Sequence, residues 1–175
     1  EKINLQVEVL DDLAIGIQSD MAIYMGSGAN SPEKLFSVNL NNEKSGLLLH
    51  PADQAYETVK FGKVERWTFT NENGVDIEGR IYFPPEFDAS EKYPCIVYYY
   101  GGTSPVERSF GGRYPKNVWA ANGYIVYVMQ PSGATGFGQD FSALHVNDWG
   151  KIVADEIILG VNKFLDGHDF VDRNQ

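Results

Sequence analysis

One unbroken run of apolar and aromatic residues, Cys95–Tyr100, constrains the fold of this chain more than any other segment. The run is too short to span a membrane, is rich in residues that favour strands, and stops at Gly101-Gly102. Because polar residues do not alternate within it, we predict a strand covered on both faces, at the centre of a parallel sheet. Ligands and reacting groups of α/β proteins meet where such strands end, which makes Tyr100 a candidate site residue. The residues alone favour a simpler interpretation, in which Tyr100 is a core aromatic and the glycines form a flexible turn.

Composition excludes several classes of function. The chain has 175 residues, is 43% hydrophobic and carries 24 acidic against 14 basic residues, for a net charge of −10. The hydrophobic content is that of a globular protein, and the negative charge argues against nucleic acid and anionic membrane surfaces as partners. The only cysteine, Cys95, lies in the apolar run, so we expect no disulfide and no thiolate metal cluster. The chain begins at Glu1 without a leader, which suggests a processed or trimmed start and leaves the compartment open.

The first part of the chain, residues 1–62, contains only short strand-like segments separated by turn formers. Three or four short strands make a thin antiparallel sheet, which is marginal alone and more typical of one blade of a larger repeat structure. No second copy of the pattern occurs, so other blades would lie outside this chain. The predicted strands are Leu13–Ile17, Met21–Met25 and Leu35–Leu40, and the predicted turns are Gly26–Pro32 and Asn39–Asn42.

After Gly62 the pattern predicts α/β structure. A strand, a helix and another apolar strand in succession imply a parallel pair, and the last element has apolar residues at helical spacing, with Asn147 as a possible N-cap and Gly167 as a possible C-cap. The predicted elements are a hairpin of Val64–Thr70 and Asp76–Phe83 around Asn71–Gly74, the strand Cys95–Tyr100, a short helix near Lys116–Ala121, the strand Tyr124–Met129, and a helix with Trp149, Ile152, Val153, Ile157, Val161, Phe164 and Leu165 on one face.

Several short motifs together resemble the prolyl oligopeptidase family of serine peptidases, which includes the dipeptidyl peptidase IV and acylaminoacyl peptidase types. Their order and spacing match the family throughout, and the match covers most of the chain. The motifs are Trp67-Thr68-Phe69, Asn73-Gly74, Ile77-Glu78-Gly79-Arg80, Pro84, Tyr100-Gly101-Gly102, Thr135-Gly136-Phe137-Gly138 with Phe141, Asp148-Trp149-Gly150, and Phe170-Val171-Asp172-Arg173-Asn174.

The resemblance implies an α/β fold class with two parts. Residues 1–62 would be the last strands of a β-propeller, and residues 63–175 would be the N-terminal half of an α/β-hydrolase catalytic domain. The family continues after its Asp-Arg-Asn element with a Gly-x-Ser-x-Gly nucleophile elbow, and no such motif occurs in this sequence. We therefore expect a fragment that ends before the catalytic serine, lacks the Ser, Asp and His of the triad, and is inactive alone.

Tyr100 is the one catalytic residue that the resemblance assigns in this chain. It matches the family tyrosine whose hydroxyl donates to the oxyanion of the tetrahedral intermediate. The sequence departs from the family at Gln130-Pro131-Ser132, where Asn-Pro-Arg is common, so a substrate-orienting arginine is missing there. The resemblance implies a peptide substrate, and an end before the nucleophile strand implies self-association or a requirement for the missing C-terminal half.

Other motifs are weaker and indicate no cofactor or metal. Gly133–Gly138 has the wrong glycine spacing for a dinucleotide fingerprint, and no helix is predicted directly after it. Asp166–Asp169 groups metal-type ligands but falls at a predicted helix end. Asp155-Glu156 is interpreted as a helix pair with one carboxylate exposed and one near the protein face. A non-catalytic binding or scaffold protein with a truncated hydrolase fold remains the alternative function, and a same-fold esterase is a variant of the peptidase hypothesis.

Overall fold

The computed structural model describes residues 3–148 and 150–175, and the chain forms two compact units. Unit 1 comprises Glu1–Lys60 and Glu107–Pro115, and unit 2 comprises Phe61–Val106 and Lys116–Gln175. The chain therefore leaves unit 2 after Val106 for a nine-residue segment of unit 1 and then returns. The single boundary expected between residues 62 and 63 does not anticipate this interleaving.

Unit 1 is built on one four-stranded antiparallel sheet in the order β1-β2-β3-β4. One face is buried over Tyr24 and Phe36, whose rings stack with their centroids 5.1 Å apart, together with Ala22 and Val38. The elements are β1 (Val9–Ile15), β2 (Met21–Gly28), β3 (Ser31–Asn39), β4 (Ser45–Leu49) and the short helix α1 (Asp53–Tyr56).

The three predicted strands of unit 1 are present, but their limits differ and β4 was missed. The predicted turn Gly26–Pro32 is too wide, because Gly26 and Gly28 both pair across the sheet and only the two residues between β2 and β3 form the turn. The second turn is as predicted, since the Asn39 side chain accepts hydrogen bonds from the backbone N–H groups of Asn41 and Asn42.

Unit 2 contains a mixed four-stranded sheet in the order β5-β6-β8-β7. The β5–β6 and β6–β8 pairs are antiparallel, whereas β7 and β8 are parallel, as the strand, helix and strand pattern predicted. The elements are β5 (Val64–Thr70), β6 (Asp76–Tyr82), β7 (Cys95–Tyr98), α2 (Lys116–Ala121), β8 (Ile125–Met129), α3 (Gln139–Ala143) and α4 (Lys151–Gly167).

The apolar run that dominates the sequence is not the central strand of this sheet. Strand β7 ends at Tyr98, is only half buried, and has β8 as its one neighbouring strand among the described residues. On its other side only the first residue is paired, through the Cys95 N–H and the Gln175 carbonyl. Strand β8 lies between β6 and β7, and all five of its residues are buried. Both runs are continuously apolar, so their composition could not show which one the chain covers on both sides. The prediction of a central strand over Cys95–Tyr100 is therefore wrong for the sheet that this chain forms.

Helix α4 packs on the sheet through a cluster of aromatic rings. The Phe164 ring stacks on Tyr127 of β8 with the ring centroids 4.3 Å apart, and both rings make T-shaped contacts with Trp67 from β5. Gly160 brings the helix close, because a Cβ at this position would lie 2.6 Å from atoms of Phe69 and Met129. The core of unit 2 thus lies between α4 and strands β5, β6 and β8.

Details of the last two helices correct the sequence predictions. Helix α4 begins after Gly150, while the predicted N-cap Asn147 has a left-handed backbone (φ 61°) before it. Gly167 is the last helical residue and His168 is the C-cap. Trp149 lies outside the described residues. Helix α3 opens directly after Gly138, where no helix was predicted. Among the described residues, none of the helices combines the length and apolar character needed to cross a bilayer.

Candidate functional site

Tyr100 lies just beyond the carboxyl end of β7, in a loop that continues to Val106. Its side chain is 63% exposed, so the interpretation of Tyr100 as a core aromatic is wrong. Tyr98, two residues earlier and the last residue of β7, instead makes a T-shaped ring contact with Trp119 in α2. Because β7 and β8 are parallel, the loops after both strands leave from the same edge of the sheet, and that edge is where α/β proteins assemble reacting groups. The phenolic hydroxyl of Tyr100 is thus presented where it can donate a hydrogen bond to a bound group.

The two glycines after Tyr100 shape the position of its ring. Gly101 has a φ of +72°, a conformation that residues with a Cβ rarely adopt. A Cβ on Gly102 would lie 2.6 Å from Cε1 of Tyr100, so a side chain at residue 102 would push the Tyr100 ring aside. The positive φ of Gly101 and the close approach at Gly102 both favour glycine after Tyr100.

Gln130, the first residue after β8, holds the far end of the Tyr100 loop. Its side-chain oxygen accepts a hydrogen bond from Val106 N–H at 2.8 Å, and its Nε2 donates to the Val106 carbonyl at 2.8 Å. Both residues are 4% exposed. Closer to Tyr100, the Thr103 carbonyl accepts a hydrogen bond from the Thr135 N–H at 2.8 Å. Two points of the loop after β7 are thus tied to the segment after β8.

A buried carboxylate, Glu156 of α4, organises the segment after β8. It accepts hydrogen bonds from the backbone N–H and the hydroxyl of Ser132, both at 2.6 Å, and from the Asn71 amide at 2.8 Å. Ser132 is the position at which the resemblance leads one to expect arginine. The structure shows a short polar residue there, fully satisfied by Glu156. As predicted, the adjacent Asp155 is exposed, and it lines a surface cavity of about 510 Å³ beside the β5–β6 turn.

Sequence reasoning missed the roles of Gln130 and Glu156. The available signal was a polar residue at the end of a continuously apolar strand, and an acidic residue on the inner face of an amphipathic helix. Such residues are buried only when their polar atoms are paired, but their partners Val106 and Ser132 are both 24 residues away in the chain. No local pattern identifies such partners.

Two titratable side chains of the core cluster, Cys95 and Tyr127, have pKa values that keep them uncharged at neutral pH. Burial raises the pKa of the Cys95 thiol to about 11, and a hydrogen bond with the Tyr127 backbone offsets this only in part. Burial also raises the pKa of the Tyr127 phenol, and negative charge at Cys95 and Glu156 acts in the same direction. The Tyr127 hydroxyl is buried without a hydrogen-bond partner in the part of the chain that the structure describes. Neither group has the accessibility or the charge of a nucleophile.

The weaker sequence motifs have structural roles. His168 bonds through Nδ1 to the Phe164 carbonyl at 2.7 Å and packs its ring among Trp67, Phe164 and Phe170. His145 is buried with its ring against Gly133. In the described residues, no group of three or more His, Cys, Asp or Glu side chains is arranged to hold a metal ion.

Comparison with known sequences supports the resemblance. Residues 112–175 match the prolyl oligopeptidase family. The chain is 33% identical over 103 residues to a probable dipeptidyl-peptidase 5 of Aspergillus terreus and 36% identical over 105 residues to dipeptidyl-peptidase 5 of Schizosaccharomyces pombe. These matches cover 58% and 59% of this chain but only 13% and 15% of the relatives. The chain thus spans about one seventh of the length of these curated relatives.

Comparison with solved structures supports the fold over nearly the whole chain. The acylaminoacyl peptidase of Pyrococcus horikoshii is similar over 99% of this chain and 27% of its own, with a TM-score of 0.83 and 20% identity. A putative dipeptidyl aminopeptidase IV from Bacteroides ovatus is similar over 92% of this chain and 23% of its own, with a TM-score of 0.75 and 24% identity. The similarity inferred from short motifs is confirmed by sequence and by fold.

Proposed function

We propose that this chain, which is similar to the prolyl oligopeptidase family of serine peptidases, is part of an enzyme that hydrolyses peptide bonds through an acyl-enzyme. The observation that carries the proposal is the placement of Tyr100. An exposed phenol stands at the carboxyl edge of a parallel strand pair, with its ring fitted over a glycine.

In the proposed mechanism, Tyr100 donates its hydroxyl proton in a hydrogen bond to the oxygen that becomes negative when the serine attacks the scissile carbonyl. A neutral donor held in place before the reaction stabilises this charge without reorganisation in the transition state. The Ser, His and Asp residues of the triad would lie elsewhere in the parent protein. The lengths of the curated relatives leave ample room for them.

Unit 1 is proposed to be the last blade of a propeller. A propeller blade is a four-stranded antiparallel sheet, which is the topology of β1-β2-β3-β4. Its two outer strands carry exposed apolar side chains, as expected of a surface that neighbouring blades would cover. These side chains are Leu10, Leu13 and Ile15 on β1, and Leu47, Leu48 and Leu49 on β4.

The substrate class that best fits the sequence relatives is a peptide with a free amino terminus, because both are dipeptidyl-peptidases by name. Two matched reporter substrates test this on the parent protein: a dipeptide amide of a fluorogenic amine, and the same dipeptide with its amino group acetylated. Cleavage of the free form alone supports a dipeptidyl-peptidase. Release of the fluorogenic amine from the acetylated dipeptide would instead show that the site accepts a blocked amino terminus, as an oligopeptidase does.

A fluorophosphonate probe tests the peptidase chemistry itself. We expect one serine of the parent protein to be labelled, with loss of reporter cleavage, and no serine of the isolated 175-residue chain to be labelled, because an oxyanion donor alone cannot form an acyl-enzyme. Intact mass and peptide mapping give the stoichiometry and the position. Labelling within the 175 residues would locate a nucleophile that our proposal lacks. An unlabelled, inactive parent protein would favour the scaffold alternative.

A further inference from the structure

We infer that Gln130 is a positioning residue for the oxyanion donor, acting through the loop that carries Tyr100. The inference rests on the proposed function and adds a residue that the family resemblance does not supply, since the sequence departs from the family pattern at this position. Gln130 does not contact the reacting atoms. It fixes the end of the segment on which the donor stands.

The backbone of Gln130 is itself firmly held. Its N–H donates to the Glu78 carbonyl at 2.9 Å, which extends the β6–β8 pairing by one residue beyond β8. The side chain therefore starts from the most buried strand of the sheet, and its amide reaches both backbone groups of Val106 at 2.8 Å. Glutamine can pair with the Val106 N–H and carbonyl at once because its side-chain amide carries both an acceptor and a donor.

The Tyr100 loop depends on this contact because it has little regular structure of its own. The loop leaves β7 at Tyr98, turns through Gly101, and is next tied by the Thr103 carbonyl and then by Val106. Immediately after Val106 the chain passes into unit 1. Gln130 thus holds the last residue of the loop within unit 2, at the point where the segment Glu107–Pro115 begins.

The sensitivity of catalysis to geometry makes this contact consequential. A displacement of about 1 Å in a catalytic group can lower a rate by about 100-fold, so a loop that loses one of its two ties is expected to impair the donor even when the fold is retained. The loss should appear in kcat and leave KM nearly unchanged, because Tyr100 acts on charge that develops in the transition state.

The test compares two variants of the parent protein. Gln130→Met keeps the length and approximate volume of the side chain but removes both hydrogen bonds to Val106. Ser132→Ala is the matched control, because Ser132 is equally buried two residues away and its hydroxyl bonds to Glu156 rather than to the Tyr100 loop. We expect Gln130→Met to lower kcat by about 10- to 100-fold and Ser132→Ala to lower it by less than about 3-fold. In a Tyr100→Phe background, Gln130→Met should lower kcat little further, because its effect passes through Tyr100.

Amide exchange gives a readout that does not depend on turnover. Peptides covering residues 99–106 should exchange faster in Gln130→Met than in the wild-type protein, and unchanged in Ser132→Ala. Wild-type kcat in Gln130→Met, equal losses in both variants, or unchanged exchange in residues 99–106 would each overturn the inference. Absence of turnover in the wild-type parent protein would instead overturn the proposed function, and with it the catalytic role of the loop.

Discussion

Removal of a single hydroxyl group tests the role of Tyr100. In the parent protein, Tyr100→Phe should lower kcat by about 10- to 1000-fold, as for loss of one oxyanion donor, with KM nearly unchanged. Tyr99→Phe is the control, because it removes the same group from an adjacent, half-exposed tyrosine. Steady-state kinetics on a fluorogenic substrate give both constants. Equal kcat for Tyr100→Phe and wild type would remove Tyr100 from the mechanism.

The reactivity of Cys95 follows from its surroundings. Burial raises its pKa from 9.0 to about 11, so the thiol stays protonated at neutral pH and reacts only through a small thiolate fraction. We expect alkylation by iodoacetamide to be about 100-fold slower than in the unfolded chain at pH 8, and to accelerate about 10-fold per pH unit until the pH nears 11. Mass spectrometry of timed samples provides the rates. A plateau near pH 9 in the folded protein would show that the thiol is not desolvated.

The residue scale also shows what a sequence conceals. Tyr98, Tyr99 and Tyr100 are identical in type and consecutive, yet the first ends a strand against Trp119 and the third is exposed at the candidate site. Composition cannot show which of the three tyrosines is exposed, because that depends on where the hydrogen-bonded ladder between β7 and β8 ends, which is at Tyr98. Only the resemblance, which carries three-dimensional information, distinguished Tyr100.

At the scale of elements, the contact of α4 with the sheet depends on the absence of a side chain at Gly160. Gly160→Ala should destabilise the fold by about 1–3 kcal/mol, because the added methyl group must displace the Phe69 ring in the core. The higher helix propensity of alanine, worth roughly 1 kcal/mol, offsets part of this packing cost.

Gly167→Ala is the matched control for that substitution. Gly167 lies in the same helix, and a Cβ there meets nothing within 4 Å. It should therefore leave the free energy of unfolding unchanged or raise it slightly. Thermal or urea unfolding of both variants provides the comparison. Stabilisation by Gly160→Ala would mean that α4 does not approach the sheet as closely as described.

Elements defined by local signals were predicted well, and their arrangement was not. The hairpin β5–β6 has the predicted turn because Asn71 accepts hydrogen bonds from Asn73 and Val75 within the turn itself. Helices α2 and α4 follow from periodicity over short distances. The order β5-β6-β8-β7 depends on contacts far apart in the chain, and so do the ties from Gln130 to Val106 and from Ser132 to Glu156. The sequence of a single strand does not show which strand will lie beside it in the sheet.

At the scale of the whole molecule, the outer edge of β7, opposite β8, has consequences for behaviour in solution. Among the described residues this edge is paired only at its start, where the Cys95 N–H donates to the Gln175 carbonyl at 3.2 Å and Tyr93 forms an isolated bridge with Val171 just before the strand. Strand β7 contains neither lysine nor proline, the residues that commonly discourage pairing at sheet edges. We therefore expect the isolated 175-residue chain to self-associate through this edge.

Sedimentation velocity over a range of concentrations measures that association. The weight-average sedimentation coefficient should rise with concentration, and the parent protein at equal concentrations provides the reference. A stable monomer at every concentration, with slowly exchanging amides throughout β7, would show that the chain protects this edge by itself.

The nine-residue excursion Glu107–Pro115 also sets an order of events during synthesis. The sheet of unit 1 is complete in sequence by β4, but Phe110, whose ring packs against Tyr56 and whose N–H donates to Ser27, is translated only after the strands β5, β6 and β7. At about 5–20 residues per second, a ribosome takes a few seconds to cover that distance. During that interval the nascent sheet of unit 1 lacks the segment Glu107–Pro115, while the first part of unit 2 has already been synthesised. Chaperone binding and premature pairing would compete for the chain in those seconds, so slower or faster codons between residues 60 and 107 would change the yield of folded protein without changing one amino acid.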